Sequence, residues 1–160
     1  MKPLSLYDYL KEQLEKTPWL SEWTIEKNDR VKELTVQFYL PLKALLSEEE
    51  LHVVWNTLGD TITSYLIQLQ FNEVVDQAAN KTGYYFFTPE MYAGQYTKTD
   101  IDVILSALHT LEVSAVSQFR DLAHHERQSL SLPWPSAFEA ERKRQLALAG
   151  RVESLTVKGW

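Results

Sequence analysis

An alternation of apolar and polar residues between positions 34 and 40 constrains the fold more than any other feature. Its apolar members are Leu34, Val36, Phe38 and Leu40. Trp23 and Ile25 alternate with polar residues in the same way, and the turn-forming Asn28 lies between the two stretches. Period-two patterning rich in β-branched and aromatic residues predicts two antiparallel strands joined as a hairpin, with Pro41 ending the second strand.

Helix starts are marked by a hydroxyl residue followed three positions later by a carboxylate, the capping-box pattern. The hydroxyl residues of this pattern are Ser5, Ser47, Thr97 and Ser136. The first predicts a short helix that ends near Lys16, before a Thr-Pro pair. The third predicts a long helix with a continuous apolar stripe over residues 101–122.

The segment 47–69 admits two interpretations. Apolar residues at helical spacing run from Leu51 to Leu69, across Gly59, and favour a single helix of more than five turns. The alternative is a helix that ends at Gly59, followed by a strand formed by the alternating IQLQF stretch within residues 61–72. We predict the helix, because the apolar stripe continues past the glycine.

The order of the elements predicts the fold class. YYFF at residues 84–87 is typical of a short buried strand. We therefore predict an α+β fold in which a small antiparallel sheet, made of the N-terminal hairpin plus one or two short strands, is packed by two long amphipathic helices. A C-terminal helix-strand arm completes the prediction. The order of elements resembles that of small acidic secretion chaperones, in architecture alone.

The stretch LPWPSAFEAERKRQ, residues 132–145, predicts a separate C-terminal arm. Its Pro-Trp-Pro sequence imposes a stiff, extended entry, and the helix that follows lacks an apolar stripe. Trp134 and Phe138 are therefore its expected anchors. The predicted divisions are a globular domain at 1–129 and an arm at 130–160, with a helix at 136–149 and a short strand at 152–158.

Composition limits the classes of function. The absence of cysteine removes disulfides, thiolate metal sites and cysteine nucleophiles. Residues 1–119 hold 9 basic and 17 acidic residues, a net of −8, and residues 120–160 hold 7 and 5, a net of +2. Most of the chain therefore repels phosphate, and no nucleic-acid partner is expected. The longest uncharged run is 12 residues, against about 20 for a membrane span, and Asp8 and Glu12 interrupt any secretory leader. We predict a cytoplasmic protein with no membrane partner.

An aromatic run, YYFFTPEMYAGQY at residues 84–96, has six aromatic rings and no basic residue. Tyrosine and phenylalanine at this density can form a groove for a peptide or an apolar ligand. The alternative is that these rings fill the core and its rim. The predicted partner-binding residues are Tyr84, Tyr85, Tyr92, Tyr96, Trp134, Phe138 and Trp160.

Glu112 is an anomaly, because it lies within the apolar stripe of the long helix. A carboxylate buried there needs a partner. His109, one turn earlier, is the candidate partner, so the two residues form a candidate buried acid–base pair. The alternative is that Glu112 reaches water or caps a neighbouring element. Asp121 and His125 have the spacing of two metal ligands, but we favour a solvated helix end whose histidines stabilise the negative end of the helix dipole, so no metal or cofactor site is predicted.

Motifs of catalysis are absent: there is no glycine-rich phosphate loop, no G-x-S-x-G and no H-E-x-x-H. We therefore predict a non-enzymatic protein-binding module, such as an adaptor, a chaperone-like protein, an inhibitor or a regulatory protein. It would use an aromatic surface and the C-terminal arm to bind a protein partner or a second copy. The alternative is a small enzyme or ligand-binding protein with a pocket lined by Glu112, His109 and tyrosines.

Overall fold

The computed structural model describes residues 5–28, 30, 33–72, 84–87, 96–149 and 154–155. Its helices are α1 (Leu6–Lys16), α2 (Leu42–Leu45), α3 (Glu48–Leu58), α4 (Lys98–Ala123) and α5 (Phe138–Ala149). Its strands are β1 (Glu22–Asn28), β2 (Glu33–Pro41), β3 (Ser64–Asn72), β4 (Tyr84–Phe87), β5 (Tyr96–Thr97) and β6 (Ser154–Leu155). The predicted α+β class is confirmed.

The main sheet has the strand order β1-β2-β3-β4. The first three strands are antiparallel, with Phe38 of β2 opposite Trp23 of β1 and Ile67 of β3. The predicted hairpin is thus confirmed. The YYFF strand is confirmed as well, and it pairs parallel to β3, with Tyr85 opposite Leu69.

The two faces of this sheet differ in polarity, as the alternation in the sequence requires. Leu34, Val36, Phe38 and Leu40 are all buried on one face, where the helices pack. The opposite face, called here the outer face, carries polar residues. On it Gln37 donates from its amide to Gln68 at 3.0 Å and accepts from the hydroxyl of Tyr39 at 2.8 Å. The outer face is therefore a hydrogen-bonded polar surface.

The prediction of one helix across Gly59 is wrong, and the strand alternative is correct. Helix α3 ends at Leu58, and Gly59 adopts a φ of 72°, a left-handed conformation that ends helices and favours glycine. Strand β3 follows, with Ile67, Leu69 and Phe71 fully buried on the core face. Residues 64–72 form a strand because they pair with β2 on one side and with β4 on the other, although their apolar residues also fit a helical spacing. Among the helices that the structure describes, α4 alone is therefore long.

Helices α1 and α4 begin at the predicted caps. The hydroxyl of Ser5 accepts a hydrogen bond from the backbone N–H of Asp8 at 3.0 Å. Thr97 and Asp100 form a complete capping box at the start of α4. The 26-residue α4 then runs to Ala123, so the predicted long helix is confirmed and its apolar stripe crosses the core.

The C-terminal segment packs on the rest of the domain through a few residues. Helix α5 begins at Phe138, later than the predicted Ser136 start, and Phe138 is buried. Arg142 of α5 donates from Nε to the carboxylate of Asp100 in α4 at 2.7 Å. The described part of the terminal strand, β6, pairs antiparallel with β5. The division into residues 1–129 and 130–160 stays a prediction.

Candidate functional site

The carboxylate of Glu112 is buried, with 1% of the residue exposed, and three donors satisfy it. The backbone N–H of Leu20 donates to one oxygen at 3.1 Å. Ser21 donates to the other oxygen twice, from its backbone N–H at 3.0 Å and from its hydroxyl at 2.7 Å. Glu112 therefore attaches the connection between α1 and β1 to the middle of α4.

His109 lies at the helix surface, one turn before Glu112. Its ring makes an edge-on contact with Trp19, at 6.1 Å between ring centres. The hydrogen bonds to Glu112 come from Leu20 and Ser21 rather than from His109. Among the described residues, the candidate acid–base pair is therefore not joined by a hydrogen bond.

Attachment of the backbone at Glu112 leaves an apolar side chain exposed. Leu20 has its N–H fixed by Glu112 and yet is 51% exposed. Val113, which follows Glu112 in α4, is also 51% exposed. The two line a groove of about 450 Å³, the Leu20 groove, together with Leu45, Val116, Arg120 and Asp121.

The lining of the Leu20 groove follows from helical geometry. Val113, Val116 and Arg120 lie at spacings of three and four residues, so they form one stripe on α4 beside its core stripe. Arg120 and Asp121 form no ion pair within the described ranges. An apolar floor with a charged rim is the usual arrangement of a protein–protein contact surface.

The exposed apolar side chains are concentrated at this groove. Among the described residues, the large hydrophobic side chains that are exposed are Leu20, Val113 and Leu148. Single exposed hydrophobics are ordinary on protein surfaces and need no explanation. Two adjacent ones in a concave site with a fixed backbone are unusual, and they make the Leu20 groove the strongest candidate binding site in the described structure.

The predicted aromatic residues that the structure describes lie in the core. Tyr85, Tyr96 and Phe138 are buried, and Trp134 packs partly buried against the core. The hydroxyl of Tyr85 donates to the backbone carbonyl of Leu132. Ring contacts join these residues: Trp134 lies 5.1 Å from Tyr85 and 5.2 Å from Phe138 between ring centres. They fasten the C-terminal segment to β4.

The remaining predicted aromatic positions are not described. Tyr92 and Trp160 lie outside the described residues, and so does the side chain of Tyr84. Their partner-binding role stays a prediction.

A second groove, of about 400 Å³, lies between α4 and α5 and has a lining of mixed polarity that includes Val103 and Leu148. It includes Asp102, whose pKa is raised by partial burial although the hydroxyl of Tyr9 donates to it at 2.6 Å. It also includes Glu141, whose pKa is lowered to about 2 by its hydrogen bond from Arg144. Within the described ranges, no group of three potential metal ligands converges. The two acidic groups of this groove are thus held by hydrogen bonds from Tyr9 and Arg144.

The Leu20 groove was not predicted from the sequence. Leu20 lies in the short connection between α1 and β1, outside any periodic pattern. Val113 lies off the core stripe of α4. The hydrogen bonds from Leu20 and Ser21 to Glu112, which join positions 92 and 91 residues apart, bring Leu20 and Val113 together.

Comparison with known proteins extends the description of the fold. No family model matches the chain, and no curated protein does. Among solved structures, the chain is similar to a conserved protein of unknown function from Enterococcus faecalis, with a TM-score of 0.66 and 20% sequence identity. The match covers 97% of this chain and 96% of that chain. This likeness shows a shared fold over nearly the whole length of both proteins.

Proposed function

We propose that the chain is a non-enzymatic protein-binding module and that the Leu20 groove receives an apolar side chain of a protein partner. The observation that carries this proposal is the pair of half-exposed side chains, Leu20 and Val113, beside a backbone fixed by Glu112. A surface that is already ordered loses less conformational entropy on binding. Covering the exposed halves of the two side chains would contribute about 1 kcal/mol each.

The alternative, a small enzyme or ligand-binding protein, has less support. Its predicted pocket needs a free carboxylate on Glu112, and this carboxylate already accepts from three donors in a buried position. His109 lines a neighbouring surface groove with Trp19 and Asp102. That groove lacks a second titratable group hydrogen-bonded to His109 among the described residues, so it offers no organised general base.

The proposal includes a cytoplasmic location. It also includes partners other than nucleic acid, which the net charge of −6 supports. Of the helices that the structure describes, none is both long and apolar enough to cross a membrane. A second copy as the partner remains part of the proposal, and light scattering of the purified protein measures it directly.

The test is site-specific photo-crosslinking in cells that express the full-length protein. A benzoylphenylalanine at position 113 should give a covalent adduct of discrete mass, which mass spectrometry identifies. The matched control places the same group at Thr110, an exposed residue of α4 that does not line the groove. Adducts of equal yield and identity at both positions, or none at position 113, would overturn the proposal.

A charge substitution then tests the groove itself. Val113→Glu introduces a carboxylate at an exposed position, so folding should be preserved while the partner is lost. Thr110→Glu makes the same change in charge on the same helix and should retain the partner. Binding that survives Val113→Glu places the contact elsewhere on the protein.

A further inference from the structure

Strand β1 is an open edge of the main sheet. It pairs with β2 through all seven of its residues, Glu22 to Asn28, and it is the first strand in the sheet order. On its other side, no described residue forms a backbone hydrogen bond with it. An edge strand of this kind carries unpaired N–H and C=O groups that another extended segment can pair with.

The two faces of β1 differ in chemistry. Trp23 and Ile25 lie on the core face, opposite the buried Phe38 and Val36, and each is partly buried. Glu22 and Glu26 lie on the outer face and are exposed. Neither carboxylate forms an ion pair or a side-chain hydrogen bond within the described part of the chain.

We propose that β1 binds an extended segment of a partner protein in which basic and apolar residues alternate. A strand added beside β1 places successive side chains on alternate faces. Its apolar residues would cover the exposed parts of Trp23 and Ile25, and its lysine or arginine residues would lie beside Glu22 and Glu26. Main-chain hydrogen bonds provide the attachment, and the cross-strand pairs select the sequence.

The outer face strengthens the preference for a basic partner. Its described residues on β1, β2 and β3 are acidic, amide, hydroxyl or apolar, and none is lysine or arginine. The acidic members are Glu22, Glu26 and Glu33. Lys27 lies on the opposite face, where its ammonium group sits over the ring of Tyr7 at 5.1 Å. The potential above the outer face is therefore negative and attracts cationic segments.

A second copy of the chain is a poor occupant for the same reason. Antiparallel self-pairing of β1 centred on Thr24 would set Glu22 directly opposite Glu26 of the second copy, twice. Like charges directly opposite each other destabilise a strand pair. A shift of two residues keeps all four carboxylates on one face, and a shift of one residue would turn Trp23 and Ile25 of the second copy onto the polar outer face. The edge thus discriminates against its own copy and favours a basic segment.

The test uses defined peptides and the full-length, isotope-labelled protein. The probe is a capped heptapeptide of alternating valine and lysine. One control peptide has glutamate in place of lysine, and another carries an N-methyl group on every residue, which removes the main-chain donors from both of its edges but keeps its charge. The valine–lysine peptide should slow hydrogen exchange of the β1 amides, and its affinity should fall as salt is raised.

Variants of the protein test the selectivity. The double substitution Glu22→Gln and Glu26→Gln should weaken binding of the valine–lysine peptide by about 2- to 30-fold, which corresponds to the loss of two exposed ion pairs. The matched control, Glu48→Gln with Glu49→Gln, makes the same change in charge at exposed positions of α3 and should bind as the wild type does.

Three outcomes would overturn the proposal: no protection of β1 amides, equal binding of the N-methylated peptide, or protection of β1 that needs no peptide and rises with protein concentration. The last would show a second copy at the edge. Crosslinking at position 113 reports on the Leu20 groove and not on β1, so the two proposals fail separately.

Discussion

Ser21 donates two hydrogen bonds to one carboxylate oxygen of Glu112, from its hydroxyl at 2.7 Å and from its backbone N–H at 3.0 Å. This contact joins the start of the sheet to the centre of α4. It converts a charge in the apolar stripe of a helix into a fixed point of the fold, because buried carboxylates are stable when donors surround them.

Glu112→Gln should destabilise the protein by about 2 to 3 kcal/mol, the value of hydrogen bonds to a buried charged group. The new amide group would face donors and not acceptors. Ser21→Ala, which removes only the hydroxyl donor, should cost about 1 kcal/mol. Urea unfolding of both variants measures the free energy. A Glu112→Gln protein as stable as the wild type would show that these hydrogen bonds do not hold the connection.

The ion pair between Arg142 and Asp100 should control how firmly α5 is attached. Asp100 is 1% exposed, so Arg142→Ala would leave a buried charge with one partner fewer, at a cost of about 3 kcal/mol. Arg144→Ala is the matched control, because its pair with Glu141 is exposed, and it should change stability little.

Hydrogen exchange of Arg142→Ala also tests the predicted boundary at residue 130. An arm that opens separately gives faster exchange in α5 alone. Equal acceleration in α5, in the centre of α4 and in β2 would show instead that residues 130–149 belong to one cooperative unit with the rest.

Asp102 should make a contribution to the free energy of unfolding that decreases as pH rises. Partial burial raises the pKa of Asp102 above its ordinary value, so the folded state holds this proton more tightly than the unfolded state does. The contribution is complete below the unfolded pKa, about 4, and is lost as pH rises through the folded pKa. Asp102→Asn keeps an acceptor for the hydroxyl of Tyr9. The variant should therefore gain stability relative to the wild type between pH 3 and pH 7.

Glu12 provides a control of opposite sign. Its hydrogen bond from Lys16 lowers the pKa of Glu12, so its contribution is present above the unfolded pKa and is lost as pH falls. Glu12→Gln should therefore lose stability relative to the wild type on going from pH 3 to pH 7. If the stabilities of both variants, relative to the wild type, changed in the same direction with pH, the opposite pKa shifts of Asp102 and Glu12 would be contradicted.

Gly59→Ala should cost about 1 to 2 kcal/mol, because a side chain at a φ of 72° crowds the following carbonyl. An added Cβ meets no atom within 4 Å, so the cost comes from the backbone alone. Gly59→Asn should lose less, since asparagine tolerates the left-handed conformation better than alanine does. Thermal unfolding of the pair measures the difference. Equal losses would indicate that backbone strain is not the cause.

Local patterns predicted most of the elements. The hairpin, the caps of α1 and α4, and the YYFF strand each depend on residues close together in sequence. The prediction of a single helix was wrong after Gly59. The apolar residues there fit a helical stripe, and they also fit the strand alternation of Ile67, Leu69 and Phe71. Tertiary pairing with β2 decided between them, and this pairing is invisible to local periodicity.

The candidate site was less accessible to prediction. The sequence identified Glu112 as an anomaly that needed partners. It could not identify Leu20 and Ser21 as those partners, because helical periodicity reports on residues one turn away and not on distant segments. The aromatic run was prominent in the sequence, yet its described members Tyr85 and Tyr96 are core residues.

Strands β5 and β6 have a consequence for the order of events in folding. Thr97 pairs with Ser154, and the chain between them contains both α4 and α5. Closing so long a loop costs more entropy than forming the β1–β2 hairpin, and contacts between distant residues form slowly. We expect the amide of Phe38 to be protected early and the amides of β6 last in pulse-labelled hydrogen exchange during refolding. The β5–β6 pair would then be the last part of the fold to form.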